Sequence, residues 1–442
     1  MAAQRIPAVG VPPVPRGQWG KAAVRVMKDE GVEVVFDCPG AALLPLCTAM
    51  AEAGGIERLS ARHEEGATHM AHGWARTSGK PGVVAAPAGP GAARLLTGLY
   101  AAQQDAVPLV CIIGREPAGP RRTTGPLRPD TFRPPDLVRL AGPVTKRAER
   151  IEDPARVPGA FREAFHLARE GRPGPVLLDV PAGLAATEPA DGSGRGPGFA
   201  FRPASAGQER WRAVPPHAPA GRSGPAGLDG PCVPAPWPLT EIAEIFGTDA
   251  APGTHLVGGA PGTCATAAVR EGRRDRFHCH HGPPGWEVPA AIGIRTALDS
   301  RGEREAEVVV AVGSRGFPLL NEELASAVRH EVPFVLLLLP PGHDRPSGPQ
   351  GHHPDDGHLD EHLPDHVKLV EAYGCAGRDV VEPAELRSAV EWARKEAVST
   401  RRPVLVEVRT ERAERVSDGA ATGAVRRDTH GPRPVPEFTH GT

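Results

Sequence analysis

The chain has 442 residues, enough for two or three domains with cores of their own, and its formal net charge of −2 gives no bulk attraction to nucleic acid or to an acidic membrane surface. Its seven cysteines, at 38, 47, 111, 232, 264, 279 and 375, form no CxxC pair, which is the usage of a reducing compartment, and no apolar run reaches the ~18 residues of a membrane span. The opening MAAQRIPAVGVPPVPRG is broken by prolines and lacks the apolar stretch of a secretory leader, so the expectation is a cytoplasmic protein that meets small molecules or other proteins.

Residues 1–19 read as a disordered arm. From 20 to 184, amphipathic stretches alternate with short β-branched runs, the pattern of a parallel sheet covered by helices. Strands are predicted over 32–36, 57–61, 82–86, 109–114 and 176–180, with helices over 21–30, 44–53, 65–77, 92–104 and 157–170 between them. Residues 185–237 are too rich in Gly and Pro, and too poor in periodic apolar residues, to bury a core. They read as a linker, with an r.m.s. span of about 40 Å for a flexible chain of that length. A second α/β block follows over 238–415. Its predicted strands are 255–257, 308–312, 334–339, 379–381 and 404–408, and its predicted helices are 239–246, 289–297, 320–329 and 383–396. A His- and Pro-rich insertion occupies 340–365, and 416–442 reads as a disordered tail.

Several phrases carry more than a fold class. The first block contains VEVVFDCPGAALLPLCTAM, GGIERLSARHEEGATHMAHGWAR and GKPGVVAAPAGPGAARLLTGLYAAQQDAVPLVCIIG; the second contains HHGPPGWEVPAAIG, EELASAVRHEVPFVLLLL, DHVKLVEAYGC and RPVLVEVRTER. In order and spacing these resemble the pyrimidine-binding and diphosphate-binding domains of thiamine-diphosphate-dependent, acetolactate-synthase-like enzymes, and CPGAA, GLYAA and CIIG look most like glyoxylate carboligase. The resemblance covers roughly four fifths of the chain. It implies an α/β protein with two parallel-sheet domains of the thiamine-diphosphate-binding type, and decarboxylative condensation of 2-oxo acids such as glyoxylate or pyruvate.

In that family a carboxylate hydrogen-bonds the pyrimidine ring of the cofactor and promotes the tautomer that takes the thiazolium proton. The resemblance puts Glu64 there. By its local sequence alone, a Glu between a strand and a helix is a helix-dipole partner or a solvated residue. Glyoxylate carboligase has an apolar residue at this place, so Glu64 matches the wider family and departs from that relative. The resemblance further implies cofactor contacts from Pro39 and Gly40, from Gly89, Pro90 and Gly91, where little side chain stands between backbone and a flat ring, and from Gly262, Gly285 and Gly313.

Other positions depart from the family pattern. The Asp that carries Mg²⁺ aligns with Ser314, and the paired Asn that follow align with Pro340 and Pro341, so no protein ligand for the metal is expected. Pro284 stands where an apolar residue buttresses the bent cofactor. Polar positions have become Ala88 and Arg94, and two Gln positions have become Arg115 and Arg133, cations that would meet an anionic substrate or reflect sequence drift. The resemblance thus implies thiamine diphosphate with Mg²⁺ as cofactors, while the linker in place of a central domain leaves no site for FAD. It also allows a catalytically degenerate homologue that acts as a binding or regulatory subunit, either as a homodimer or in a hetero-oligomer with an intact homologue. His343, His352, His353, His358, His362 and His366 form a further cluster in which His358 and His362 have a metal-ligand spacing, set against a solvated-loop reading. His278, Cys279, His280 and His281 pose the same pair of alternatives.

Overall fold

The computed structural model describes residues 19–115, 136–181, 245, 253–258, 277–278, 283–314, 316–339 and 364–409. The linker at 185–237, Arg133, Gly262, Pro341, Cys279 and the histidines at 280, 281, 343, 352, 353, 358 and 362 lie outside them.

The first block alternates α1 (Trp19–Asp29), β1 (Val34–Asp37), α2 (Leu44–Ala53), β2 (Glu57–Ser60), α3 (Glu64–Ser78), β3 (Gly82–Pro87), α4 (Leu95–Gln104), β4 (Leu109–Arg115), α5 (Leu137–Ala141), β5 (Arg147–Arg150), α6 (Val157–Arg169) and β6 (Pro175–Pro181). The second runs β7 (His255–Gly258), β8 (Phe277–His278), α7 (Glu287–Ser300), β9 (Val308–Gly313), α8 (Phe317–Leu320), α9 (Glu323–Arg329), β10 (Val335–Leu339), α10 (His366–Ala372), β11 (Ala376–Val380), α11 (Pro383–Thr400) and β12 (Val404–Val408). All pairings are parallel. The strand orders are β2-β1-β3-β4-β6-β5 and β8-β7-β9-β10-β12-β11, one plan used twice. No helix among the described residues is long and apolar enough to cross a membrane.

Alternation along each strand divides the core. Val35, Val83, Ala85, Val110 and Ile112 face one side of the first sheet, with Phe161 and Phe165 of α6 and Met27 of α1. Phe36, Val84, Cys111 and Ile113 face the other side and enter a cluster that continues into Val310, Val312, Leu336 and Leu338 of the second sheet. Between the sheets, α3 packs on α7, its counterpart in the repeated plan. The crossing is close because glycines meet backbone there: a Cβ on Gly73 would overlap the Ala290 carbonyl, and one on Gly293 would lie 2.7 Å from the Met70 carbonyl carbon and 2.8 Å from the Trp74 nitrogen.

Most expected elements are present with small shifts, and the differences have local causes. The helix expected over 92–104 begins as a 3₁₀ turn, Gly91–Arg94, before α4. The one expected over 320–329 is divided into α8 and α9 at Asn321 and Glu322. The strand expected at 379–381 lies at Ala376–Val380, so its first residues are the unpromising Ala376-Gly377-Arg378. Strand β5 was not expected at all. Its sequence Arg147-Ala148-Glu149-Arg150 sits at a sheet edge and spends its charges on ion pairs with Glu163, Glu149 and Asp179.

Candidate functional site

Glu64 is the first residue of α3, directly after the His63 N-cap, so its carboxylate stands at the positive end of a 15-residue helix. It is half-buried. Its side chain lies against Gly91, where a Cβ would overlap the carboxylate and oblige the Glu64 side chain to turn away. Gly89, by contrast, has open space around its Cα. Gly40 packs on the Pro87 ring at the end of β3, with a would-be Cβ 2.6 Å from Pro87 Cβ, and Pro39 beside it is exposed. The expected pyrimidine-side residues Pro39, Gly40, Glu64, Gly89, Pro90 and Gly91 therefore belong to the β1, β2 and β3 exits of one sheet.

The second block reaches directly into this region. Glu323, fully buried at the start of α9, accepts the Arg62 N–H at 3.1 Å with both carboxylate oxygens, the His63 N–H at 2.9 Å and the Ser326 hydroxyl at 2.7 Å. Burial pushes its carboxyl up to about 7 against the opposing pull of those hydrogen bonds, and Glu322 adds to the rise. Burial, with Glu64 and Glu323 nearby, also holds the Cys38 thiol well above its ordinary range. Sequence reasoning missed Glu323, although a signal was present. Leu320, Glu323, Leu324 and Ala327 follow i, i+3, i+4, i+7 spacing, which puts the Glu on an apolar face.

His63 is drawn two ways. Its Nδ1 accepts the Glu65 N–H at 3.2 Å, and Arg94 Nη1 lies 2.6 Å from its Nε2. A neutral imidazole accepts at one nitrogen only, so the helix cap and the Arg94 contact compete for the tautomer. Arg115 does not offer a free cation to a substrate. Its Nε donates to both oxygens of the buried Asp179, at 3.1 and 3.3 Å, and Arg150 Nε donates to the same carboxylate at 2.8 Å.

In the second block Gly313 ends β9 and Ser314 follows it, buried, with its N–H bonded to Leu339 O at 3.1 Å. The Ser314 hydroxyl has no hydrogen-bond partner among the described residues. Gly285 takes φ +95, a conformation favoured by glycine, and donates its N–H to Glu287 Oε2 at 2.9 Å; Pro284 next to it is exposed. His278 is buried and hydrogen-bonded to His255 at 3.0 Å, and no group of three or more metal-ligating side chains occurs among the described residues. His366 caps the Glu407 carboxylate at 2.9 Å and packs edge-on to Phe317, a core role.

Comparison with known proteins matches two family models. Residues 18–131 match the thiamine pyrophosphate enzyme N-terminal TPP binding domain, and residues 258–408 match the C-terminal TPP binding domain. The chain belongs to the thiamine-diphosphate-dependent enzyme family. Within this family it is 41% identical over 168 residues to glyoxylate carboligase of Escherichia coli, covering 38% of this chain and 27% of that protein. It is 42% identical over 167 residues to the acetolactate synthase large subunit of Lactococcus lactis, covering 37% and 28%. The chain thus spans about a quarter of the length of the curated relatives it matches. Its fold is similar to that of benzoylformate decarboxylase from Polynucleobacter necessarius, with a TM-score of 0.63, 15% identity, and 90% and 99% of the two chains covered. It is also similar to a 4-hydroxybenzoylformate decarboxylase of Rhodococcus jostii, with a TM-score of 0.61, 18% identity, and 89% and 99% covered.

The two ends of the site differ in how they suit this family's cofactor. A half-exposed carboxylate at a helix N-terminus beside bare glycine backbone fits a pyrimidine ring. The end of β9 offers a neutral hydroxyl, unpartnered among the described residues, where Mg²⁺ usually takes a carboxylate oxygen, and so this position suits the metal poorly.

Proposed function

We propose that this chain is a thiamine-diphosphate protein of the glyoxylate-carboligase and acetolactate-synthase kind, with decarboxylative condensation of 2-oxo acids as its chemistry. The observation that carries this reading is Glu64 at the N-terminus of α3, facing Gly91 and fixed from the second block. When bound, thiamine diphosphate supplies an electron sink that stabilises a carbanion next to a carbonyl. The Glu64 carboxylate holds a hydrogen bond to a pyrimidine nitrogen and sets where that ring keeps its proton. Gly89 and Gly91 let the ring lie against backbone, and Gly285 and Gly313 line the route towards the diphosphate end.

Ser314 favours a second reading. Without a carboxylate at that position, the chain alone does not run the reaction; it acts as a binding or regulatory subunit, or lends Glu64 to a site whose metal ligands come from an intact homologue. Titration calorimetry with thiamine diphosphate, with and without Mg²⁺, separates the two. Tight Mg²⁺-dependent binding, weakened by Glu64→Gln and followed by turnover of glyoxylate or pyruvate, supports the enzyme. Binding that appears only in Ser314→Asp/Pro341→Asn supports the degenerate subunit. Absence of binding in every variant removes the enzyme reading.

A further inference from the structure

The segment from Ser60 to His63, which leads from β2 into α3, is gripped by a single helix of the other block. Glu323 opens α9 and takes the N–H groups of Arg62 and His63, while His330, just past the end of α9, accepts the Ser60 N–H at 3.1 Å. The Glu323 carboxylate also lies on the first turn of α3, where a Cβ on Gly66 would overlap it. Ser60 is tied from its own block as well, since its hydroxyl donates to the fully buried Asp37 at 2.8 Å. Three of the four residues preceding Glu64 thus have their N–H groups hydrogen-bonded to side chains of the second block.

Docking two apolar helix faces does not require a buried carboxylate, and desolvating one is costly unless its hydrogen bonds are complete. Here three donors reach it, and both of the backbone donors belong to the two residues immediately before Glu64. Fixing consecutive peptide planes at 62 and 63 sets the direction in which α3 starts, and with it the origin of the Glu64 side chain.

We propose that Glu323 is a positioning residue for Glu64: a carboxylate of the second block that fixes the main chain entering α3, so that the orientation of Glu64 depends on the docking of the two blocks. This rests on the reading of Glu64 as the pyrimidine-binding carboxylate. Glu323 touches neither cofactor nor substrate. Its effect passes through two amide groups and the first turn of a helix.

The test compares Glu323→Gln, Glu323→Ala and Glu64→Gln in the full chain. Oε1 accepts both N–H groups and Oε2 shares that of Arg62, so a Gln amide with its oxygen in the Oε1 place keeps the shape and the His63 bond but sets an NH₂ against the Arg62 N–H; Glu323→Ala removes both acceptors. Hydrogen exchange by mass spectrometry, resolved to residues 60–66, reads the clamp directly. The expected result is exchange at Arg62 and His63 faster by about tenfold or more in Glu323→Ala, and faster at Arg62 in Glu323→Gln, from the loss of a hydrogen bond to a buried carboxyl group, with protection in β4 and β10 unchanged. Thiamine diphosphate, titrated in parallel, binds about tenfold more weakly to Glu323→Gln. At saturation the near-ultraviolet circular-dichroism signal of the bound pyrimidine is also altered. A purely structural role would change affinity and leave the signal of the filled site intact.

If Glu323→Ala fails to fold, Glu323→Gln carries the comparison. Unchanged exchange at Arg62 and His63, or a filled-site signal equal to that of the unaltered chain, overturns the proposal. If Glu64→Gln weakens binding while both Glu323 variants bind like the unaltered chain, the reading of Glu64 stands and only the role of Glu323 falls. If Glu64→Gln binds as well as the unaltered chain, or the unaltered chain binds no thiamine diphosphate, the reading of Glu64 fails and the proposal fails with it.

Discussion

Replacing Gly293 by Ala tests the closest approach in the molecule. The added methyl would stand 2.7 Å from the Met70 carbonyl carbon and 2.8 Å from the Trp74 nitrogen, and it would overlap the Met70 oxygen; all three are backbone atoms that no rotamer change can move. Raising 2.7 Å to the ordinary 3.4 Å separates α3 from α7 by at least about 0.7 Å, more where the Met70 oxygen is met, and gaps of roughly 0.5–1 Å already forfeit about a quarter to a half of the dispersion energy across the contact. Overpacking of this kind costs about 1–3 kcal/mol and here falls on the crossing that joins both blocks, so the upper end applies. The intrinsic helix preference of Ala returns up to ~1 kcal/mol, leaving a net loss of about 2 kcal/mol. For folding units of this size that lowers the melting temperature by about 4–8 °C. Gly159→Ala is the control. It lies exposed in α6 with nothing within 4 Å of its would-be Cβ, and the same chemical change there should stabilise by up to ~1 kcal/mol. Thermal and urea unfolding followed by far-ultraviolet circular dichroism read both. A Gly293→Ala protein as stable as the parent would refute the close crossing.

Glu323 gives a pH prediction. Its carboxyl is raised from 4.5 to about 7 by burial, so the folded chain binds that proton more tightly than the unfolded chain does. The associated stability is present below about pH 4.5 and is lost as pH rises through about 7, on the order of 3 kcal/mol, and urea midpoints of Glu323→Gln should lack that slope. Asp179→Asn removes the negative charge that Arg115 and Arg150 share at the ends of β4 and β6 and leaves one accepting oxygen, and should destabilise by about 3 kcal/mol because two part-buried cations lose their counter-charge; a change below ~1 kcal/mol would show that water already satisfies them. Among the described cysteines, Cys38 and Cys111 are buried with thiols pushed up, Cys111 to about 12, whereas Cys47 is only half-buried. Alkylation of the native protein at pH 8, mapped by peptide mass spectrometry, should therefore modify Cys47 first; early labelling of Cys111 would contradict the packing of β4.

What the sequence made legible follows from how each element is stabilised. Strands β3, β4, β9 and β10 are apolar runs because both faces are covered, and β6 and β12 are nearly so, each broken by one acid, Asp179 and Glu407; such runs stand out in a chain otherwise rich in Gly and Pro. The charged edge strand β5 carries no such signal, since ion pairs to α6 and to Asp179 hold it in place of a buried face. Glu64 and its glycine partners were legible through the order of phrases around them, not through local propensity. Arg115 was legible as a change in charge but not in meaning, because its partner Asp179 lies 64 residues away on another strand. Glu323 was hidden for a similar reason: its hydrogen-bond partners are backbone groups more than 250 residues earlier, and backbone groups leave no trace in side-chain identity.

The use of one strand order for both sheets has a further consequence. Two copies of one plan that meet through equivalent helices form, within a single chain, what two protomers form across a dyad. Such a contact is only pseudo-symmetric, but every copy of the chain carries both of its faces, so the α3 of one molecule would present to the α7 of another the same surface it presents to its own. The same atoms therefore serve closure and exchange. Which of the two prevails depends on the effective concentration that the intervening chain maintains between the halves, set against the number of molecules in solution.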